Sequence, residues 1–427
     1  MKFLKKNEFT HPITWMIKNK NCTIDIKSYK KNNGYETFRK SINKYSSIDI
    51  IKIIENSKLR GRGGAGFFTG IKWKLVKEST KSNKKCYLIC NADEMEPGSY
   101  KDRFLIEKNP HLLIEGILIT AYALKSKIGY IFIRNEYFYA EKCLKKAIIE
   151  AKNNNLLGKN ILNTNFEFNL FIHTGAGRYI CGEETALINC LEGKRANPRL
   201  KPPFPTSVGF LGKPTCVNNV ETLCNVPVVL KLGSKAYRNI SIKKSKDAGT
   251  KLMGVSGRVK NPGIWEVPFG TTIRELLEKY AKGMEKGYNL KAIQPGGGST
   301  GFLLPRHLDT PMDFENISKV GSRLGTATIT IIDKNISMIS VLKNLETFFS
   351  RESCGWCSPC REGLSWSVNI LKDLENKIGS KEDIKILRNI CNLANNFSFC
   401  AHAIGAVSPL ISALDNFEED FEKCIKF

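Results

Sequence analysis

The sequence has no apolar run long enough to cross a bilayer, which takes about 20 predominantly apolar residues in a helix. Its cationic start, M-K-F-L-K-K-N-E, has no apolar core behind it. No secretory leader is therefore expected, and the chain is expected in the cytoplasm. Carboxylates are in short supply: 41 Asp and Glu face 66 Lys and Arg, a formal net charge of +25. That balance fits a nucleic-acid or membrane-surface binder. The lysines are scattered, however, and none of the usual nucleic-acid-binding motifs is present. Abundant Lys, Asn and Ile, as in an AT-rich genome, account for the charge as compositional drift.

A cytosolic chain disfavours structural disulfides, so clustered cysteines point to metal or redox chemistry. Of the 14 cysteines, Cys22, Cys86, Cys90, Cys143, Cys190, Cys216, Cys224, Cys391 and Cys424 stand alone and read as small core residues. Cys354, Cys357 and Cys360 form C-x-x-C-x-x-C, with Cys400 the next candidate. Three thiolates at that spacing plus a distant fourth suit a 4Fe–4S cluster. Tetrahedral zinc is the rival, although its cysteines usually come as two separated pairs. Cys391 is the alternative fourth ligand. It sits mid-helix by pattern, whereas Cys400 sits in a turn-like F-C-A-H-A-I-G.

At 427 residues, 42% hydrophobic, the chain can bury a large core and should hold more than one domain. The stretch Arg60–Lys72, R-G-R-G-G-A-G-F-F-T-G-I-K, holds five glycines with Arg60 and Arg62 threaded through them. Such a loop lets a ligand approach the main chain, and its N–H groups and cations make an anion nest. Gly61, Gly63 and Gly66 also satisfy G-x-G-x-x-G. The ordinary dinucleotide fingerprint requires a strand before it. Here the preceding Ile48–Leu59 has helical apolar spacing with Ser46 or Ser47 as cap.

Strand patterns cover Cys86–Cys90, Gly129–Arg134 and Phe166–His173. Helical patterns cover His111–Leu124 and Ala140–Lys152. This alternation argues for an α/β layer with parallel strands. The first strand runs into the acidic loop Asp93, Glu94, Glu96, and the third into a second glycine loop, Thr174–Thr185. Open α/β sheets bind ligands at the carboxyl ends of their strands. Glu183 and Glu184 suit a helix N-terminus and equally suit hydrogen bonds from a cofactor. Lys194–Pro205 must be irregular, with Lys201 and Phe204 placed to close over a phosphate and a ring. Val217–Thr222 reads as a polar turn into a helix. A boundary falls near 235–250. A β-rich unit with one helix follows over 251–332, and residues 338–427 read as helical.

R-G-R-G-G-A-G-F, C-N-A-D-E-M-E-P-G, G-A-G-R-Y-I-C-G-E-E-T, K-P-P-F-P, V-N-N-V-E-T and E-S-C-G-W-C-x-P-C-R together resemble the flavoprotein subunit of NADH:quinone oxidoreductase, respiratory complex I, in bacteria its F subunit. The resemblance implies an N-terminal extension (1–47), a Rossmann-like flavin domain (48–245), a ubiquitin-like β-grasp domain (246–335) and a C-terminal four-helix bundle carrying 4Fe–4S (336–427). It implies FMN as cofactor and NAD(H) as substrate. FMN contacts carried over are Gly61, Arg62, Gly63, Gly64, Lys72, Asn91, Asp93, Glu94, Tyr179, Gly182, Glu183, Glu184, Asn218, Asn219 and Thr222, and Ala65, Gly66, Gly70, Gly175, Gly177 and Val217 are further cofactor-binding positions. NADH contacts fall on Phe67, Glu96, Lys201 and Phe204, with Glu183 near the nicotinamide; Glu96 and Glu183 act by positioning, and no acid or base is required. Cluster ligands fall on Cys354, Cys357, Cys360 and Cys400. Hydride passes from NADH to FMN, then single electrons to the cluster. The partners implied are the 24 kDa-type 2Fe–2S subunit and the large iron–sulfur subunit, in a proton-translocating complex peripheral to the inner membrane on its cytoplasmic side. Two other functions share features with this chain: the diaphorase subunit of an NAD-linked hydrogenase or formate dehydrogenase, and a zinc-stabilised basic nucleic-acid binder.

Overall fold

The computed structural model describes residues 7–18, 22–80, 85–243 and 245–425. The N-terminal region, expected as a polar wrap, is mostly inside these bounds; its residues 1–6 and 19–21 lie outside them. It does more than wrap. Helices α1 (Ile26–Lys31) and α2 (Glu36–Lys44) help send Tyr29, Tyr35 and Phe38 into the first apolar core. Upstream, the backbone N–H groups of Ile13 and Thr14 donate to Glu266 at 3.1 and 2.8 Å.

Helix α3 (Ser47–Asn56) opens on a capping box, Ser46 with Asp49; such a box satisfies two otherwise unpaired N–H groups. The end of the glycine stretch runs into α4 (Thr69–Ser79), a helix without an apolar stripe that the sequence pattern does not announce. The parallel sheet follows: β1 (Tyr87–Ala92), α5 (Lys101–Lys108), α6 (Pro110–Leu124), β2 (Ile128–Arg134), α7 (Phe138–Asn153), β3 (Asn169–Gly175), α8 (Glu184–Leu191), β4 (Thr215–Asn219) and α9 (Val220–Leu232), then α10 (Ser234–Arg238). Strand order is β3-β2-β1-β4, every pair parallel. Two expectations are corrected. The third strand starts at Asn169 rather than Phe166, because Phe168 is taken up by a bridge to Gly158. Val217–Asn219 is strand, not turn: it lies beside β1, with Cys90 opposite Asn218.

Helix α6 is buried on nearly every face, as a helix between a sheet and other helices must be. Its Gly116 lets α9 approach, since a Cβ there would stand 2.0 Å from the Leu223 carbonyl oxygen.

The second unit is a mixed sheet, order β6-β5-β8-β7, built from β5 (Thr250–Gly257), β6 (Gly263–Pro268), β7 (Leu290–Gln294) and β8 (Thr328–Asp333). Strands β5 and β8 are parallel, and the outer pairs antiparallel. It carries α11 (Ile273–Glu275, continued by a π turn to Tyr280) and also α12 (Phe314–Lys319), one helix more than its pattern implies. Its own core is centred on Met253, Phe269 and Ile329.

The last unit is helical: α13 (Met338–Glu352), α14 (Ser358–Glu375), α15 (Lys381–Phe397), α16 (Ala401–Asn416) and the short α17 (Glu418–Glu422). Each of the four long helices packs on the next, and α16 returns to α13. Leu342, Phe349, Leu364, Leu387 and Val407 fill the centre. No helix among the described residues is long and apolar enough to cross a membrane.

Candidate cofactor site and cysteine quartet

The parallel sheet brings its carboxyl ends together, and most of the expected residues stand there. Asn91 is near the end of β1, Gly175 ends β3 and Asn219 ends β4. The glycine stretch arrives from the side as a closed loop. Gly61 N donates to the Phe67 carbonyl at 2.8 Å, and Thr69 N donates to the Leu59 carbonyl at 2.8 Å. Gly64 and Gly66 take positive φ, 133° and 68°. A Cβ on Gly64 would meet nothing nearer than 3.9 Å, and one on Gly182 nothing nearer than 3.7 Å. The main chain is therefore open to a ligand at both positions.

The two loops are tied to each other. Asn91 Nδ2 donates to the Gly182 carbonyl at 3.0 Å. Lys72 donates to Glu184 at 3.1 Å and to the Val217 carbonyl at 3.1 Å. Lys201 reaches Glu183 at 2.8 Å and Glu184 at 3.4 Å. Burial works against ionisation of Glu184, but Lys72 and Lys201 outweigh it and hold its pKa below the ordinary value. Glu183 takes the helix-capping role of the two expected for it. Its Oε2 caps α8 by accepting from Thr185 N and Ala186 N at 2.7 and 2.9 Å, while Oε1 faces Lys201. Phe67 and Phe204 are 50% and 54% exposed, so each offers a ring face.

Asp93 is the outlier. Its side chain is buried, and neither carboxylate oxygen has a partner. Burial pushes its pKa up to about 8 against the pull of Arg134. A buried carboxylate without donors is expensive, so this position calls for donors from a bound group. Ribityl hydroxyls and a flavin ring N–H are such donors, and FMN fits the site.

Several of the contacts implied by the resemblance do other work. Arg62 is fully buried. Its guanidinium donates to Tyr237 Oη at 3.0 Å and the Ala248 carbonyl at 2.8 Å, and lies 4.4 Å over the Phe269 ring. Its side chain points away from the cradle, which leaves only its backbone there. Arg60 likewise pairs with Asp247 at 2.7 Å and stacks 4.2 Å over Phe68. Lys72 and Lys201 are therefore the cations that face the carboxylates of the second loop, while both arginine side chains are engaged elsewhere. Glu94 is consumed as a cap for α5, accepting from Asp102 N and Arg103 N at 3.0 and 2.9 Å. Gly70 is a packing glycine, since a Cβ would stand 2.4 Å from Glu55 Cα. Gly175 is another, against the Phe132 ring at 2.8 Å. Asn218 accepts from Trp73 Nε1 at 2.9 Å, and Asn219 caps α9. Thr222 Oγ1 accepts from Arg62 N at 2.8 Å. These three brace the loop from behind. Ala65 lies within the loop, and Gly177 takes φ 76° just past β3.

The second unit contributes residues that carry no sequence signal of a site. Glu96 accepts from Ser299 N at 2.7 Å and Tyr179 Oη at 2.6 Å. A Cβ on Gly297 would stand 2.5 Å from Glu96 Cγ, so the Gly296–Gly298 turn is shaped around the acidic loop. Beneath the loop, Lys251 donates to the Arg62 carbonyl and to Glu221, both at 3.1 Å. Lys101 also pairs with Glu221 at 3.1 Å and with Asp102 at 2.7 Å. Lys251, Glu221, Lys101 and Asp102 are all buried. A cavity of about 910 Å³ lies elsewhere, beside Ile42, Tyr122 and Phe166, away from this chemistry.

The cysteine quartet forms where helices begin. Cys357 and Cys400 are the N-cap residues of α14 and α16. Gly355, at φ 78°, turns the chain between Cys354 and Cys357. Burial pushes the Cys360 and Cys400 thiols up to about 11, with the thiols of Cys354 and Cys357 adding to the rise in both. Cys391 is buried on α15, and the charged groups that reach it are Glu346, Arg388 and Asp415, not the triplet. Among the described residues no three His, Cys, Asp or Glu side chains stand at the spacing of ligands around one metal ion. The triplet and Cys400 nonetheless lie near one another, and three thiolates plus a fourth distant in sequence suit a 4Fe–4S cluster. Two cysteines expected to stand alone in the core do otherwise: Cys22 is exposed, and Cys190 lies against Cys181.

Residues 54–228 match the family model described as the Nuo51 FMN-binding domain. Residues 340–424 match the NADH-ubiquinone oxidoreductase-F iron-sulfur binding region, and 252–303 the SLBB domain. The chain is 58% identical to the F subunit of the NADH-quinone oxidoreductase of Escherichia coli K12, over 100% of this chain and 95% of that one. It is 58% identical to the protein of the same name from Buchnera aphidicola subsp. Baizongia pistaciae, over 99% and 96%. A crystal structure of an NAD+-reducing [NiFe]-hydrogenase superposes with TM-score 0.81 at 30% identity, covering 92% of this chain and 65% of that one. Matched along its whole length at that identity, the chain belongs to the family of NADH-quinone oxidoreductase F subunits.

Proposed function

We propose that this chain is the NADH-oxidising flavoprotein subunit of complex I, holding FMN and one 4Fe–4S cluster. The observation that carries the reading is Asp93: a buried carboxylate with two unpartnered oxygens, just past β1 beside the Gly182 turn, which Asn91 holds to β1 while Lys72 joins the first loop to Glu184. FMN, when bound, takes a hydride from NADH and releases electrons one at a time. The protein's part is positioning. Asp93 accepts hydrogen bonds, open main chain at Gly64 and Gly182 lets the group seat closely, Lys72 faces its phosphate, and Lys201 faces NADH. Phe67 and Phe204 stack on NADH rings. Glu183 orients the nicotinamide end, and Glu96 disfavours a 2′-phosphate. Cys354, Cys357, Cys360 and Cys400 are the cluster ligands.

We further read the units as a Rossmann-like flavin domain (48–245) with 1–47 packed onto it, a β-grasp domain (246–335) and a four-helix bundle (336–427). The mixed sheet with its helix, and the ring of α13 to α16, support this. Electrons leave toward the 24 kDa-type 2Fe–2S subunit and the large iron–sulfur subunit, and finally quinone, with protons translocated by the whole complex. The arm lies on the cytoplasmic side of the membrane. The hydrogenase likeness, at 30% identity, is the more distant one and does not displace this reading. Absorption and metal analysis of anaerobically purified protein test it. Flavin bands over broad iron–sulfur absorption are expected, and a colourless zinc protein would refute it.

A further inference from the structure

Cys181 lies in the short turn Tyr179–Gly182, and Cys190 in the last turn of α8. Their sulfurs stand 3.2 Å apart. A disulfide needs about 2.05 Å, so closure asks for roughly 1 Å of movement. The two thiols differ in access: Cys181 is buried, while Cys190 is partly exposed. The hydrogen bond from Cys181 holds the Cys190 thiol below its ordinary range, against the opposing effect of burial. A partly exposed cysteine with a buried partner sulfur 3.2 Å away is the arrangement of an oxidisable dithiol. Disulfides formed in a reducing compartment are mostly of this transient kind. The pair is also close to the cofactor cradle, since the Cys190 thiol is among the groups that raise Asp93.

We propose that Cys181 and Cys190 are a covalent modification site, converted by hydrogen peroxide or a hydroperoxide to an intramolecular disulfide that ties the Tyr179–Gly182 turn to α8. The Cys190 thiolate attacks one peroxide oxygen. The O–O bond breaks, a sulfenic acid forms on Cys190, and the departing hydroxide takes a proton to become water. The Cys181 sulfur then attacks the sulfenic sulfur. The S–O bond breaks, the S–S bond forms, and a second water leaves with the Cys181 proton. The two sulfurs together lose two electrons and the peroxide gains them. A small dithiol reverses the change by exchange.

One consequence rests on the flavin reading above. The turn carries Tyr179, bonded to Glu96, and Gly182, bonded to Asn91. Tethering it displaces both contacts, so the oxidised chain sheds FMN several-fold faster.

The test uses the full chain with its bound cofactors, treated with hydrogen peroxide, alkylated with iodoacetamide and digested with trypsin. Arg178 and Lys194 bracket both cysteines in one peptide, Tyr179–Lys194. That peptide is expected to lose two hydrogens and take no label, then to take two labels after dithiothreitol. Flavin release, followed by fluorescence, is expected to rise several-fold and to fall back with dithiothreitol. In Cys190→Ser the two-hydrogen loss is absent and flavin release stays near its untreated rate. Sulfinic acid on Cys190, or two labels taken after peroxide, would overturn the site. Two-hydrogen loss with unchanged flavin release supports the disulfide and overturns its reach to the cofactor. A chain that binds no flavin before oxidation refutes the flavin reading and leaves the peptide result to decide the disulfide.

Discussion

Replacing Asp93 by asparagine keeps the shape and removes the charge that the fold buries without donors. In the folded, cofactor-free chain burial lifts the Asp93 pKa to about 8, against about 3.9 for an unfolded chain. Between those values the folded chain holds a proton that the unfolded chain has released. Stability from this group is therefore complete below the unfolded pKa and drains away as pH rises toward 8. At about 1.4 kcal/mol per pH unit the loss by pH 8 is about 5 kcal/mol. Asp93→Asn escapes it, so its advantage over the natural chain should grow from about 1.5 kcal/mol near pH 5 to about 5 kcal/mol near pH 8. Urea titrations of both cofactor-free chains across that range measure it. FMN binding should move the other way. Losing an ionic acceptor for flavin donors costs about 1.5–3 kcal/mol, roughly ten- to a hundredfold in affinity. An advantage that stays flat with pH, or FMN affinity equal in both chains, would refute the argument that this carboxylate is buried for the cofactor.

Other expectations follow from the bracing residues. Lys251→Met leaves Glu221 with Lys101 as its one ion-pair partner among the described residues and removes the donor to the Arg62 carbonyl. A loss of about 3 kcal/mol with weaker flavin retention is expected in denaturant titrations, partly restored by adding Glu221→Gln. Gly70→Ala drives a methyl into Glu55 and should cost about 1–3 kcal/mol, while the chains that do fold keep their FMN stoichiometry. Cys400→Ser should abolish the cluster's low-temperature paramagnetic signal on reduction, whereas Cys391→Ser should keep it. Glu96→Gln should narrow the preference for NADH over NADPH in steady-state turnover, and an unchanged ratio removes that role from Glu96.

Legibility in the sequence follows the range of the interaction. The parallel layer, the helix ahead of the glycine stretch and the triplet of cysteines are readable because period, cap and spacing are local signals. Strand β4 reads as a turn, since its Asn218 and Asn219 carry turn chemistry. Only lateral pairing with β1, from the other end of the flavin-binding unit, makes it strand. Helices α4 and α5 are hidden in the sequence, one for want of an apolar stripe and the other because its cap, Glu94, comes from the loop just past β1. The same holds at the site. Arg62 looks like a phosphate ligand by composition, yet Tyr237, Ala248 and Phe269 draw it inward from distant parts of the chain. Ser299 and Gly297, by contrast, carry no signal of their own and become site residues only because Glu96 docks on them.

The central claim is that one chain takes electrons from NADH onto a flavin and passes them to a cysteine-held cluster. Anaerobic titration of the cofactor-loaded full chain with NADH tests it, followed by visible absorption and low-temperature paramagnetic resonance on the same samples. Bleaching of the flavin band with the appearance of a reduced 4Fe–4S signal is the expected result. In Cys400→Ser the cluster signal should be absent while flavin bleaching persists. Flavin that NADH does not bleach, or a cluster signal that survives loss of Cys400, would contradict it.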